Sequence, residues 1–290
     1  MADNLQKEIL TIKNLIETQA DKDMKPIIKA FRESLNNIRL EIAKLYAKYG
    51  DLKTMSQAER TKELRKLESF ILEKARELNI IESTTTEQIL KKSYEDTYHR
   101  TFFIVQTGVS AEIPLTILSD KFVNSVVNQK FVEERFSDRI WTNKKLLISK
   151  LNKTIKSGVI QGKSIDKMTR DIKNTFGQSA FISQRLVRTE TARVQTDANM
   201  KLYDDCGLVK KVLYDATLDN KTSDICKSRD GKYWDIDDLS KPKIPAHPNC
   251  RSCWIPVING WKPRTKRDNI TKEIIPYQTY EEWAKEKGIK

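Results

Sequence analysis

The sequence predicts an α+β protein: a mostly helical N-terminal arm, then a compact body of helices plus a small antiparallel β-sheet, stapled by zinc. Three observations carry that expectation. Apolar residues recur three and four apart from Ile9 to beyond Val187, the spacing of helix faces that pack. After Gly207 the pattern changes to short apolar runs separated by turn residues. Three cysteines and a histidine then gather between positions 226 and 253. Of 290 residues, 38% are apolar and 32% charged, which favours an extended body with long exposed helices over one thick core.

Ile9, Ile12, Leu15 and Ile16 share one face of a first helix. Pro26 suits the first turn of a second. Ile27, Ile28, Phe31, Leu35, Ile38, Ile42 and Leu45 form its stripe, which stops at Gly50. Ser56 and Glu59 have capping-box spacing ahead of Leu64, Leu67, Ile71, Leu72, Ala75 and Leu78. Thr84 and Glu87 are placed to cap a further helix carrying Ile89, Leu90, Tyr94, Tyr98 and Phe102. Trp141–Lys156 reads as one amphipathic helix, broken by Gly158 and Gly162. Ser164 caps the next, Gly177 ends it, and Ser179–Lys201 makes another before the stop at Gly207. Val209–Tyr214 and Cys253–Val257 read as strands. Asp230-Gly231 marks a hairpin with Tyr233 and Trp234 on its return strand. Tyr280–Lys287 reads as a short helix. The expected division is 1–139 helical arm, 140–258 body and 259–290 basic C-terminal tail with its helix.

The chemistry concentrates in Cys226 and in His247, Cys250 and Cys253, the last three each three residues apart. Zinc takes four tetrahedral nitrogen or sulfur ligands, commonly as close pairs from turns. In a reducing compartment such a grouping reads as metal binding before disulfides. The expected site is therefore Cys226, His247, Cys250 and Cys253 holding a structural Zn2+. The alternative is buried free thiols beside a hydrogen-bonded histidine. If the chain from Cys250 to Trp254 is extended, Cys250 and Cys253 face opposite ways, so both bind only if Arg251-Ser252 turns. Asp215, Asp219, Asp224 and Asp230 read as turn chemistry. Arg188 and Glu190 are two apart on a helix and point in different directions, so each is expected to reach another element as a structural polar network, Arg188 holding a carboxylate or backbone carbonyls in the β-part; surface salt bridges are the alternative.

The net charge of +13 attracts polyanions. Lys262, Arg264, Lys266 and Arg267 are the candidate contacts to DNA phosphates; an acidic protein patch would suit them equally. No apolar run approaches a membrane span, and the first residues lack a signal peptide's pattern, so the chain is expected to be made in the cytoplasm and not exported by that route.

The ordered set Ile140-Trp141, Gly158, Gly162, Ser164; Arg188-Thr189-Glu190-Thr191 with Ala198-Asn199; Asp219, Thr222-Ser223, Cys226, Asp230-Gly231; and Pro245-Ala246-His247-Pro248-Asn249-Cys250-Arg251-Ser252 resembles the phage Mu F-like minor head protein family, also called phage head morphogenesis proteins. The resemblance covers roughly residues 140–257. It implies a non-enzymatic minor capsid protein of a tailed-phage virion, at the portal vertex and capsid interior. Its implied work is capsid assembly and DNA packaging or ejection. The implied partners are the portal protein and capsid components, with non-specific contact to packaged DNA and no small-molecule substrate. Many members end the motif in Cys-Arg-Cys; here Cys253 comes one place late, which puts Cys226, His247 and Cys250 ahead of it as ligands. Some relatives carry a toxin domain such as an ADP-ribosyltransferase behind this module; 33 residues follow Val257, so the module alone is expected. The alternative function is a zinc-dependent DNA-binding protein or nuclease. A His-Asn-His nuclease needs two histidines in its motif, and this chain has only His99 and His247.

Overall fold

The structure, a computed structural model, describes residues 5–109, 113–258, 265–268, 270–271 and 273–288. Its helices are α1 (Leu5–Asp23), α2 (Lys25–Tyr49), α3 (Gln57–Val109), α4 (Asp120–Val127), α5 (Phe136–Gln161), α6 (Ile165–Asp205), α7 (Asp224–Lys227) and α8 (Tyr280–Glu286). The strands are β1 (Lys211–Asp215), β2 (Tyr233–Asp235), β3 (Cys253–Val257), β4 (Thr265–Arg267) and β5 (Ile274–Pro276). This is α+β with a small antiparallel sheet. Among the described residues no helix is long and apolar enough to cross a membrane.

Contacts divide the chain into two compact units. One is Met1–Asp21, Ile89–Val127 and Arg188–Lys290; the other is Lys22–Gln88 and Asn128–Val187. Neither sequence boundary, 139/140 or 258/259, falls at a change of unit. The reason is that α3 and α6 are single helices of 53 and 41 residues, each supplying residues to both units. The caps and stops expected at Thr84 and Gly177 lie inside them. A threonine costs about 0.5 kcal/mol and a glycine about 1 kcal/mol in a helix interior. Burying one large apolar side chain returns about 1.5–3 kcal/mol. Leu78, Ile89 and Leu90 flank the threonines and are nearly inaccessible, so the helix continues.

In the second unit, Pro26 sits in the first turn of α2, and Gly50 ends it with φ +65°, its N–H bonded to the Tyr46 carbonyl. Ile27, Phe31, Ile38, Ile42 and Leu45 are buried as their spacing requires. Ser56 and Glu59 form the capping box: Ser56 N–H donates to Glu59 at 2.9 Å and Glu59 N–H to the Ser56 hydroxyl at 3.2 Å. Gly158 lies inside α5, and Gly162, with φ +61°, ends it. The core of this unit also holds an ion pair. Lys144 on α5 and Glu82 on α3 are both inaccessible and bonded to each other, with the Lys144 ammonium 4.5 Å from the centre of the Phe31 ring.

In the first unit, Ile9, Ile12 and Ile16 of α1 are buried, while Leu15 is half exposed. The main sheet has the order β2-β1-β3, antiparallel throughout. The connection from β1 to β2 carries α7, and Gly231 returns the chain with φ +74°, its N–H bonded to the Tyr214 carbonyl. Asp230-Gly231 is thus a turn on this longer path, not a two-residue hairpin. The 259–290 segment adds a second hairpin, β4–β5, and the expected short helix, α8. Thr279 and Glu282 cap α8 reciprocally, and Trp283 is fully buried against Leu218.

Candidate metal centre

The sheet and two turns bring the centre together. Tyr214 on β1, Trp234 on β2 and Trp254 on β3 share one face, with ring centres 5.2–6.2 Å apart in edge-to-face contact. The Tyr214 hydroxyl lies 3.3 Å from Cys226 Sγ, which α7 presents to that face. The other two candidate ligands come from a single turn. Cys250 N–H donates to the His247 carbonyl at 3.1 Å, with Pro248 and Asn249 between them and Asn249 at φ +58°. Proline followed by a residue with positive φ suits a type II turn, which brings the ends of a three-residue spacing together. The Thr189 hydroxyl on α6 holds that turn, accepting from Asn249 N–H at 3.0 Å.

One atom each from Cys226, His247 and Cys250 lies within 4.8 Å of the other two. The sulfurs of Cys226 and Cys250 are 3.8 Å apart, and Cys226 Sγ is 3.3 Å from His247 Nε2. A disulfide needs about 2.05 Å. A tetrahedral ion with zinc–sulfur bonds of about 2.3 Å puts two sulfurs about 3.8 Å apart, and a sulfur and an imidazole nitrogen about 3.5 Å apart. The trio therefore fits a tetrahedral ion and not a crosslink. His247 Nδ1 lies 3.0 Å from the Pro248 carbonyl. A proton on Nδ1 donated there leaves the Nε2 lone pair for a metal, the arrangement usual for a ligating histidine.

The thiol chemistry agrees. Cys250 donating to Cys226 holds the Cys226 thiol well below its usual range; burial opposes this, and hydroxyls of Ser223, Ser252 and Tyr214 assist. Cys250 is pushed up by the same hydrogen bond and by burial. One sulfur is thus readily a thiolate, and a bound metal would displace the proton of the second to solvent.

Cys253 does not join them. It pairs with Asp215 across β1–β3, one step from the Tyr214–Trp254 pair. Side chains alternate along a strand, so Cys253 faces away from Tyr214 and from the trio. Arg251-Ser252 does not make the turn that would have been needed. Burial pushes the Cys253 thiol up.

Residues 149–255 match the family described as Phage Mu protein F like protein. The chain carries a phage Mu F-like segment. That segment runs from α5 to β3 and includes all three gathered residues. The chain is also similar to NAD(+)--arginine ADP-ribosyltransferase EFV of Enterococcus faecalis (strain ATCC 700802 / V583): 24% identical over 300 residues, covering 96% of this chain and 59% of that protein. The chain thus spans less than two thirds of the relative's length. No solved structure matches.

In the polar network of the phage Mu F-like segment Arg188 reaches another element as expected, while Glu190 pairs on its own helix. Arg188 holds a carboxylate, that of Asp21 on α1, with bonds of 2.8 and 3.1 Å, and its side chain is half exposed. Glu190 is buried and pairs with Arg193 at 2.7 Å. Arg193, not Arg188, reaches backbone carbonyls: those of Val126 and Val127 at 3.1 and 2.9 Å, closing the C-terminus of α4. Arg193 also bonds Asp197 at 3.0 Å.

Of the four cations proposed for DNA, Lys262 and Arg264 lie outside the described residues, and of Arg267 only the backbone in β4 is described. Lys266 is not available to a phosphate. It is buried, bonded to Asp230 at 2.7 and 2.9 Å, with Asp215 at 3.5 Å. Asp230 also accepts from the N–H groups of Ala216 and Tyr280, at 2.7 Å each. Asp215 and Asp230 are therefore buried anchors; Asp219 does serve its turn, accepting from Lys221 N–H at 2.8 Å.

Proposed function

We propose that this chain is a minor structural protein of a tailed-phage head, acting in head morphogenesis and not as an enzyme. The match of residues 149–255 to the phage Mu F-like family is the observation that carries this reading. We place it in the virion, with portal and capsid components as partners and a role in DNA packaging or ejection. The ion is proposed to be Zn2+, suited by two thiolates and an imidazole. Its role is structural: it ties α7 to the His247–Cys250 turn beside the sheet. Purified particles and procapsids of the phage that encodes the chain, analysed by mass spectrometry, should contain it. Absence from both would overturn the assignment.

A second reading is favoured by the Enterococcus faecalis relative: transfer of ADP-ribose from NAD+ to arginine. We place that activity in the part of the relative the match does not cover. Incubation of this chain with labelled NAD+ and an arginine-rich acceptor should give no labelled product; labelling would favour the transferase.

A further inference from the structure

A tetrahedral ion held by Cys226, His247 and Cys250 has one position left, and no other Cys, His, Asp or Glu among the described residues joins the three. His247 and Cys250 also line a cleft of about 590 Å3 within the first compact unit. That is the size range of a small-molecule site, far larger than one water needs. In its wall lies Thr191 of α6, 1% exposed, whose hydroxyl has no hydrogen-bond partner among the described residues. Leaving such a group unsatisfied costs about 1–3 kcal/mol, a cost that a ligand's acceptor atom removes.

The charges around the cleft select the ligand. Arg188 is neutralised by Asp21, Arg251 by Asp219 at 2.6 Å, and Glu17 by Lys13. Two thiolates and a neutral imidazole cancel the charge of a divalent ion. Lys221, which also lines the cleft, is exposed and makes no ion pair among the described residues. One positive charge is left over. A monoanion matches it, whereas a phosphate dianion would leave one negative charge uncompensated.

We infer that the fourth position of the metal takes a carboxylate from outside the chain, received through this cleft and held by Thr191 and Lys221. The inference rests on the metal reading above and goes beyond a purely internal staple. The centre becomes an attachment point for an acidic group.

The test uses the full chain loaded with Co2+, whose visible absorption reports its coordination sphere, titrated with sodium acetate at constant ionic strength. The expected result is a saturable spectral change. Thr191→Val should weaken acetate about tenfold, the worth of one hydrogen bond of about 1.4 kcal/mol. Lys221→Gln should weaken it and reduce its salt dependence, and both variants should keep the cobalt content of the parent. A cobalt-loaded protein whose spectrum ignores acetate overturns the carboxylate inference and leaves the metal reading standing. A drop in thiolate-to-cobalt charge transfer in Cys253→Ala would reveal a third sulfur ligand, and would overturn both the assignment of the ligands and this inference. Inorganic phosphate binding more tightly than acetate overturns the choice of carboxylate. A chain that takes up no cobalt overturns the metal reading and this inference together.

Discussion

Removing the Glu82 carboxylate should be the most damaging single change in the second compact unit. Glu82 and Lys144 are both inaccessible, so the pair gains nothing from solvent and loses nothing to salt screening. Glu82→Ala leaves the Lys144 ammonium buried with only the Phe31 ring 4.5 Å away. A desolvated cation over an aromatic ring recovers about 2 kcal/mol, whereas breaking one side of a buried pair costs about 3–5 kcal/mol. The expected loss is therefore about 3 kcal/mol, read as a lower urea midpoint by circular dichroism at an unchanged slope. Burial already holds Lys144 below the usual lysine pKa, with Glu82 opposing that fall. Without Glu82 it falls further below its unfolded value. The unfolded chain then binds more protons, so the variant regains stability as pH rises through the folded pKa. Glu82→Leu combined with Lys144→Met should come within about 1 kcal/mol of the parent or exceed it, because a desolvated pair is readily replaced by apolar packing. A single variant losing under about 1 kcal/mol, or a double variant as damaged as the single, would refute this reasoning.

Three further outcomes follow from the geometry. Arg193→Ala removes the cation beside buried Glu190 and uncaps α4, so it should cost about 3–5 kcal/mol in chemical unfolding, while Arg188→Ala, at a half-exposed pair, should cost under about 1 kcal/mol. Gly162→Ala forces a β-carbon into φ +61° and into the Lys53 side chain, and should lower stability by about 1 kcal/mol or more. Burial raises Asp215 to about 6, against the Lys266 ammonium and with the Asp230 carboxylate. The folded state therefore holds that proton more tightly than the unfolded state, whose carboxylate titrates near about 4. Asp215 should then cost stability progressively as pH rises from about 4 to 6, and Asp215→Asn should flatten that slope in denaturation curves.

Much of the helical architecture was legible because burial follows the apolar spacing. The α2 stripe, the Ser56–Glu59 box and the strand at Cys253–Val257 all stand where local rules put them. Local rules misled where a long-range term outweighed them. Thr84 and Gly177 look like boundaries, yet packing carries α3 and α6 through them. The Lys144–Glu82 pair did leave a trace: Lys144 sits in step with Ile140, Leu147 and Leu151, and Glu82 lies four after Leu78, all on buried faces. Lys266 left none, since charge counting does not distinguish a solvated cation from a buried one. At the candidate metal centre the turn joining His247 and Cys250 was legible from its spacing. Strand parity already argued against Cys253 unless Arg251-Ser252 turned, and that turn does not form. Thr191 was visible only as part of the Arg188-Thr189-Glu190-Thr191 motif; its place in the cleft wall required the fold.

X-ray absorption at the zinc edge, on full-length protein purified under reducing conditions, tests the metal centre most directly. The expected result is about one zinc per chain with two sulfur ligands at about 2.3 Å, one imidazole nitrogen, and one further light-atom ligand. Cys226→Ala and Cys250→Ala should abolish it, and Cys253→Ala should leave it unchanged. A protein without metal, or a spectrum requiring three sulfurs, would contradict the account.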